Sequence, residues 1–561
     1  MKRIRYLETH DNIIIDKNDA MAYFAQGRFG LGGGNGSIPI SIALANISRS
    51  SSIVTMLQPK HVVTSKYVST RITMGEGAGD IALPNFEVKP PRPSATLMIT
   101  REGDDGVEVL LGRRSESMPA FPGYYAFPGG GVSRVDKTAS EVLNISVQHC
   151  AILREVVEEL GLAPENGKMV AVEEDFRKMV VEDKSNWFPL AMDGDIPIDI
   201  KGIRIISTRT TPPFGPMRFE NTFLHIHSEQ HDDFSLVGQT EFEDARWMRP
   251  CDVIGAWQNN VIKVAPPVVT LLMEVDRCLN LTNQDMTKVA EDLESRKPGR
   301  RSILFAHGVQ VIPIKTATLP PANYTNCYLI GDPNGDFIIV DPAFRDREGM
   351  KEVNDAVEKR IGNPIAVFYT HSHPDHMADP NLLKEAFGIP IWSASSDADR
   401  VLKDGEVLQL GSQSWQVLHT PGHHPEHLCL ICESGLVAGD MVAGIGTILV
   451  RPGEGDMSTY IAQLERLRDL DPHLIFPSHG PVIALPEKKL THYIEHRSSR
   501  HEKVLAAVEA GNFNIEDIAS VAYEDTPNAH PRLAVDQTLS HLLSHEKNGY
   551  VRRIDGGWVR A

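Results

Sequence analysis

Apolar and polar positions follow different periods along the chain. SATLMIT (94–100) and VEVLLGRR (107–114) are strand-like runs on either side of the turn EGDDG, and they predict a β-hairpin. The stretches 150–160 and 263–279 are patterned as helices instead. Residues 281–302 turn polar and charged without an aromatic residue, which predicts a linker with some helix in it. A second body starts near 303. NCYLIGD, DFIIVDPA, IAVFYTH and PIWSAS are strand-like runs, and helical stretches such as GMKEVNDAVEKRI alternate with some of them, the pattern of α/β architecture. From about 491 three helical stretches lead to GYVRRIDGGWVRA, a terminal hairpin turning at Asp-Gly-Gly. The expected organisation is an unassigned region at 1–91, bodies at 92–275 and 306–490 joined by a linker at 276–305, and a tail at 491–561, without internal repeats.

Length and composition agree with this division. At roughly 100–200 residues per domain, 561 residues make three or four domains. The net charge of −18 excludes a general nucleic-acid or membrane coat, though not a local groove. No apolar run reaches the roughly 18 residues of a membrane helix; IPISIALANI (38–47) is too short and contains a proline. The start, MKRIRYLETHDNIIID, makes a poor secretory or transit signal. GRFGLGGGNGS (27–37) lacks the Lys-Ser/Thr of a phosphate loop and reads as a loop or flexible arm. Six scattered cysteines imply reduced thiols and a cytoplasmic setting. Cys429 and Cys432 in CLIC fall in a strand-like run, where a spacing of three puts them on opposite faces.

The stretch FYTHSHPDHMAD (368–379) follows an apolar run and so lies in a strand-end loop. His371 and His373 can converge on one ion there, and Asp375 and His376 can turn to a second; imidazole and carboxylate form a ligand set that zinc accepts. Three more candidates follow apolar runs: His423 in HTPGHHPEH, Asp440 in LVAGDMVAG and His479 in IFPSHGPV. H-x-H-x-D-H, TPGH, GD and SHGP, in that order, resemble the metallo-β-lactamase superfamily over about residues 306–490. The resemblance implies an αβ/βα sandwich with two zinc ions. His371, His373 and His423 would hold one ion, Asp375, His376 and His479 the other, with Asp440 bridging and Asp375 among the catalytic carboxylates. His419, His424 and His427 match no ligand position and read as structural.

The tail and GTILVRPGEGDMSTYIAQLERL resemble the β-lactamase-like protein 2 family. That implies a C-terminal winged helix and an endoribonuclease-like hydrolase acting on single-stranded RNA. Eight Lys+Arg against ten Asp+Glu in 491–561 do not make a basic clamp, and such a module can equally serve packing or a homodimer. Arg497, Arg500, Lys503, Arg552 and Arg553 are the candidate phosphate contacts, so deleting the tail is expected to harm RNA cleavage more than ester hydrolysis.

In REVVEELGL (154–162) helical spacing puts Glu155, Glu158 and Glu159 on one face. An acidic solvated face would look the same, but crowded carboxylates also suit Mg²⁺ or Mn²⁺. With YAFPGGGV (125–132) upstream, the string resembles the second half of a Nudix box, in an interrupted branch that includes coenzyme A diphosphatases. The resemblance covers about 92–275 and implies an α/β/α sandwich. Glu155, Glu158 and Glu159 would be metal ligands, Glu158 and Glu159 catalytic, and Arg154 their orienting partner. The first half departs: Asp136 stands where glutamate is usual, and about ten extra residues separate it from Arg154.

The combined expectation is an α/β and α+β multidomain metallo-hydrolase. Its zinc body would cleave a phosphodiester in RNA beside a Mg-dependent diphosphatase body. The alternatives are a thioester or ester hydrolase of glyoxalase II type paired with a CoA-diphosphatase-like body, or a zinc hydrolase regulated by a non-catalytic ligand-binding Nudix module.

Overall fold

The computed structural model describes residues 4–6, 13–15 and 89–561, save 215–216, 229–232, 239–240 and 297–300. Ile4–Tyr6 and Ile13–Ile15 pair antiparallel. The glycine-rich 27–37 and the apolar 38–47 lie outside the described residues. No helix among the described residues is long and apolar enough to cross a membrane.

The first body is a sheet covered on both faces. Its hairpin is β1 (Arg92–Gly103) and β2 (Gly106–Arg114). The short β3 (Gly129–Gly131) leads into α1 (Arg134–Leu143) and α2 (Val147–Leu160). Then come β4 (Arg204–Thr210), β5 (Phe219–His227) and β6 (Phe242–Met248). The sheet order is β6-β2-β1-β5-β4, with β3 beside β1 and only β1–β5 parallel among these pairs. Alternation along β1 and β2 sends Ala95, Leu97, Ile99 and Leu110 to α2, while Met98, Val109 and Leu111 face α3 (Pro250–Gln258) and α4 (Pro266–Leu281). The polar stretch after residue 281 contains the expected helix. Asp285 caps α5 (Met286–Ser295), which buries Met286, Val289, Ala290 and Leu293 in that same core at helical spacing.

The second body has two sheets face to face. The first comprises β7 (Ile303–Ala306), β8 (Val309–Lys315), β9 (Tyr324–Gly331), β10 (Phe337–Val340), β11 (Pro364–Phe368), β12 (Ile391–Ser393) and β13 (Arg400–Val401), side by side in that order. From β10 to β13 the pairing is parallel, and α6 (Arg347–Lys359) and α7 (Pro380–Ala386) pack on the outer face. The second comprises β14 (Val407–Leu410), β15 (Gln413–His419), β16 (Leu428–Cys432), β17 (Gly435–Gly439) and β18 (Ile475–Pro477), again in chain order. Its outer face takes α8 (Met457–Asp469) and the start of α9 (Pro486–Glu509). Tyr328, Ile330, Phe368, Trp415, Leu430 and Phe476 fill the space between the sheets. Cys429 and Cys432 lie on β16 facing opposite cores.

The two bodies interlock. Tyr124 of the first is buried among the inter-sheet residues of the second, and Phe121 stacks on Phe305 at 6.3 Å between centroids. Trp257 Nε1 donates to the Phe305 carbonyl at 3.3 Å, and Lys263 Nζ to that of Ala484 at 2.6 Å.

The tail adds α10 (Ile515–Ala522), α11 (Pro531–Lys547) and the hairpin β19 (Val551–Ile554) and β20 (Gly557–Arg560). Its small core includes Val504, Ile518, Leu542 and Trp558. Helix α9 runs unbroken through residue 491, with Leu490, Tyr493 and Ile494 in the second body's core. Arg497 and Arg500 do not serve as phosphate contacts, because they are only 3% and 4% exposed. Arg497 donates to the Ile448 carbonyl, and Arg500 to the Ala522 carbonyl and to Asp525. Lys503 is exposed but pairs with Asp525, which leaves Arg552 and Arg553 of the five in open positions. Ending the chain at residue 490 therefore removes Tyr493 and Ile494 from the core, at about 2–5 kcal/mol each. Activity on RNA and on small esters should fall together, alongside a lower unfolding temperature. A selective loss on RNA, with unchanged stability, would contradict this.

Candidate metal centre

Each candidate ligand of the second body sits just past the end of a strand. His371, His373, Asp375 and His376 follow β11, His423 follows β15, Asp440 follows β17 and His479 follows β18. The turns are tight. Gly439 has φ +50°, and a Cβ there would lie 2.4 Å from His427 Nε2, so only glycine delivers Asp440 at this angle.

Three nitrogens converge in one group. His371 Nε2 is 2.9 Å from His373 Nδ1, and His423 Nε2 lies 3.3 and 3.0 Å from those two atoms. Tetrahedral nitrogens about 2.0–2.1 Å from a zinc ion would stand about 3.3–3.4 Å apart. The outer nitrogens fix the tautomers. His423 Nδ1 donates to the Leu449 carbonyl at 2.7 Å. His373 Nε2 donates to Glu454 at 3.1 Å, and that hydrogen bond, against partial burial, holds the Glu454 carboxyl down to about 2. Thr370 Oγ1 gives its proton to Asp341 at 2.7 Å, so at 3.0 Å it accepts from His371 Nδ1. All three inner nitrogens therefore present lone pairs to one another, an arrangement that calls for a cation between them. Burial, reinforced by the surrounding imidazoles, keeps His371 neutral, and burial holds His423 down to about 4 against the pull of Asp440.

The second group repeats the logic with carboxylates. His376 Nδ1 donates to Asp341 at 2.9 Å and His479 Nδ1 to the Tyr324 carbonyl at 3.2 Å. Asp440 Oδ1 lies 3.6 Å from His376 Nε2 and 3.3 Å from His479 Nε2, while its Oδ2 lies 3.6 Å from His423 Nε2. Asp375 Oδ2 is 3.5 Å from His479 Nε2. His376 Nε2 and Asp440 Oδ1 are buried without a hydrogen-bond partner. Burial disfavours charge on both histidines, yet the Asp440 and Asp375 carboxylates raise both above the usual range. Two divalent cations fit these donors. Among the described residues, the groups able to hold a metal are His371–His373–His423, His371–His376–Asp440 and Asp375–His376–His479.

Sequence reasoning missed several supports. Asp341 organises Thr370, His376 and Ser478, and it follows the apolar run DFIIV just as the ligands follow theirs. Glu454 carries no comparable signal. His427 is structural and holds the Asp440 backbone, because its Nε2 accepts the Asp440 amide at 3.0 Å. His424 accepts from the Glu426 amide at 3.1 Å, and His419 bonds the Pro425 carbonyl at 2.8 Å.

A family model for the metallo-beta-lactamase superfamily matches residues 320–411 and 394–479, the span holding every ligand just described. The lactamase-like protein adaB of Aspergillus niger is 30% identical over 241 residues, covering 39% of this chain and 73% of its own. The chain belongs to the metallo-beta-lactamase superfamily. A beta-lactamase-like protein 2 homolog of Drosophila melanogaster is 29% identical over 253 residues, 41% of this chain and 84% of that one. The atrochrysone carboxyl ACP thioesterase AgnL7 of Paecilomyces divaricatus is 28% identical over 191 residues, 33% of this chain and 59% of its own. The superfamily typically binds divalent metal ions, and this hydrolase-family chain carries the His/Asp clusters that could hold them.

The glutamate helix of the first body is arranged differently. Arg154, 1% exposed, grips the fully buried Asp136 with two nitrogens at 2.8 and 3.0 Å and reaches Glu155 at 2.8 Å and Glu158 at 2.6 Å. The extra residues are absorbed by α1 and by a break at Asn144, which has φ 53°. Glu159 accepts the Gly129 amide at 2.8 Å, and its other oxygen is buried without a partner. Burial pushes Glu155 up to about 7 despite Arg154, and burial with the Glu155 charge raises Glu159 well above the usual range. Because Glu158 is turned onto Arg154, Glu155, Glu158 and Glu159 are not among the close metal-competent groups of the described residues.

Proposed function

We propose that the second body is a dinuclear zinc hydrolase of phosphodiesters, with single-stranded RNA as substrate, and that the first body is a Nudix-type diphosphatase dependent on Mg²⁺ or Mn²⁺. The observation that carries the first statement is the convergence of the His371, His373 and His423 inner nitrogens on one another, with Asp440 facing His423 on one side and His376 and His479 on the other. When bound, two zinc ions supply hydroxide at neutral pH and stabilise an oxyanion. The protein's own part is to hold those donors and to keep the site charge-complementary, with Asp375 beside His479 as a further carboxylate that would hold a metal. The resemblance to the β-lactamase-like protein 2 family, with a tail read as a winged helix, supports RNA. For the first body, the support is the Arg154–Asp136 pair and the Glu159 oxygen buried without a partner.

A thioester is the second reading. It is favoured by the buried state of Arg497 and Arg500, which removes two phosphate contacts, and by the likeness to a named thioesterase. The full chain should be assayed on single-stranded RNA, an acyl thioester and nucleoside diphosphate derivatives. RNA turnover above thioester turnover is expected; the reverse selects the second reading. Glu159→Gln should abolish diphosphate hydrolysis and leave the other activity intact. If the wild type binds such a diphosphate without turnover, the first body is a ligand-sensing module instead.

A further inference from the structure

The backbone that orients the metal ligands is itself held from the far end of the chain. His423 depends on the carbonyl of Leu449, and both neighbours of Leu449 are clamped by the tail. The Ile448 carbonyl accepts from Arg497 of α9. Val450 pairs with Gln537 of α11 in both directions: its amide donates to Gln537 Oε1 at 3.3 Å, and its carbonyl accepts from Gln537 Nε2 at 2.9 Å and from Ser540 Oγ at 2.6 Å. Further along the same segment, Glu454 holds His373. It is followed by Asp456, bound by Lys547 at 3.0 Å, and by Ser458, whose hydroxyl lies 2.6 Å from that of Ser544. Arg497, Gln537, Ser540 and Ser544 are all buried.

Glutamine suits position 537. Its planar amide offers one donor and one acceptor side by side, so it meets a backbone N–H and C=O as a neighbouring strand would. Glutamate would keep the acceptor but set a second acceptor against the Val450 carbonyl. Leucine would fill a similar volume and leave a buried N–H without a partner.

We infer that Gln537, with Arg497, is a positioning residue of the metal centre: by fixing residues 448–450 it sets the Leu449 carbonyl and, through it, the tautomer and ring orientation of His423. The tail is then a brace for the metal-bearing loop. This rests on the metal-centre reading above.

The test is metal titration of the full chain with Co²⁺ and Zn²⁺ against a chelator, together with the visible Co²⁺ spectrum and amide exchange of residues 448–456. Loss of an outer support lowers metal affinity about 10–100-fold, and Gln537→Leu, one bond further out, should give about the lower figure. Its Co²⁺ spectrum should change and its Val450 amide should exchange faster. Gln537→Glu should fall between it and wild type, and it supplies the comparison if the leucine variant fails to fold. Ile518→Ala on α10 serves as the control: it weakens the tail core from a helix that supplies none of these clamps and should leave affinity and spectrum nearly unchanged. Wild-type affinity and spectrum in both Gln537 variants would overturn the brace alone, as would an equal loss in Ile518→Ala. Failure of the wild type to bind Co²⁺ or Zn²⁺ would overturn the metal-centre reading itself.

Discussion

Asp440→Ala is expected to bring the second body from about two metal ions to one or fewer, and hydrolysis down on the order of 10³-fold. The Asp440 carboxylate faces both donor groups, with one oxygen toward His376 and His479 and the other toward His423. Without it, five neutral imidazoles are left with Asp375 as the remaining negative ligand of the set. The ions' stabilisation of developing charge is worth several kcal/mol, and each 1.4 kcal/mol is a factor of ten in rate. Elemental analysis of the purified variant and its turnover on the preferred substrate read the outcome. Two ions at full turnover would remove Asp440 from the centre.

The second large effect belongs to stability. Arg154→Met should destabilise the first body by about 3–5 kcal/mol, because removing one partner leaves the buried Asp136 charge uncompensated. Asp136 would keep only the Ser133 amide at 2.7 Å and hydroxyl at 2.9 Å. Arg154→Lys should lie between, since an ammonium keeps the charge but not the fork that spans both Asp136 oxygens. Denaturant unfolding followed by fluorescence of Trp187, fully buried in the first body's core, checks this. A change below about 1 kcal/mol would show that the network is dispensable.

Much of the site was legible in the sequence because strand-end loops carry ligands in short runs. FYTHSHPDHMAD, TPGH, GD and SHGP each follow an apolar stretch, and the order of the sheets brings their ends together. The supports were less legible because their partners are remote. Asp341 and His376 are 35 residues apart, Glu454 and His373 81, and no local period links either pair. Arg497 and Arg500 looked like surface cations because charge usually means exposure. Their burial depends on carbonyls of Ile448 and Ala522 that only the fold presents. Asp136 looked like a departure from its pattern, yet the shorter side chain still reaches both nitrogens of Arg154, since the break at Asn144 lets α1 and α2 pack side by side. The packing of α5 was harder to read, because just four apolar residues carry its buried face.

The contacts of Tyr124, Phe121, Trp257 and Lys263 with the second body have a genetic consequence. A chain whose two bodies share side chains does not segregate into two independent sets of alleles. Lesions at Trp257 or Tyr124 map to the first body but loosen Phe305 and the sheet residues around it. They will therefore be scored as defects in the second body, and co-expressed half-chains will complement one another poorly. Selection on either body thus acts on the other through a shared wall of aromatic residues.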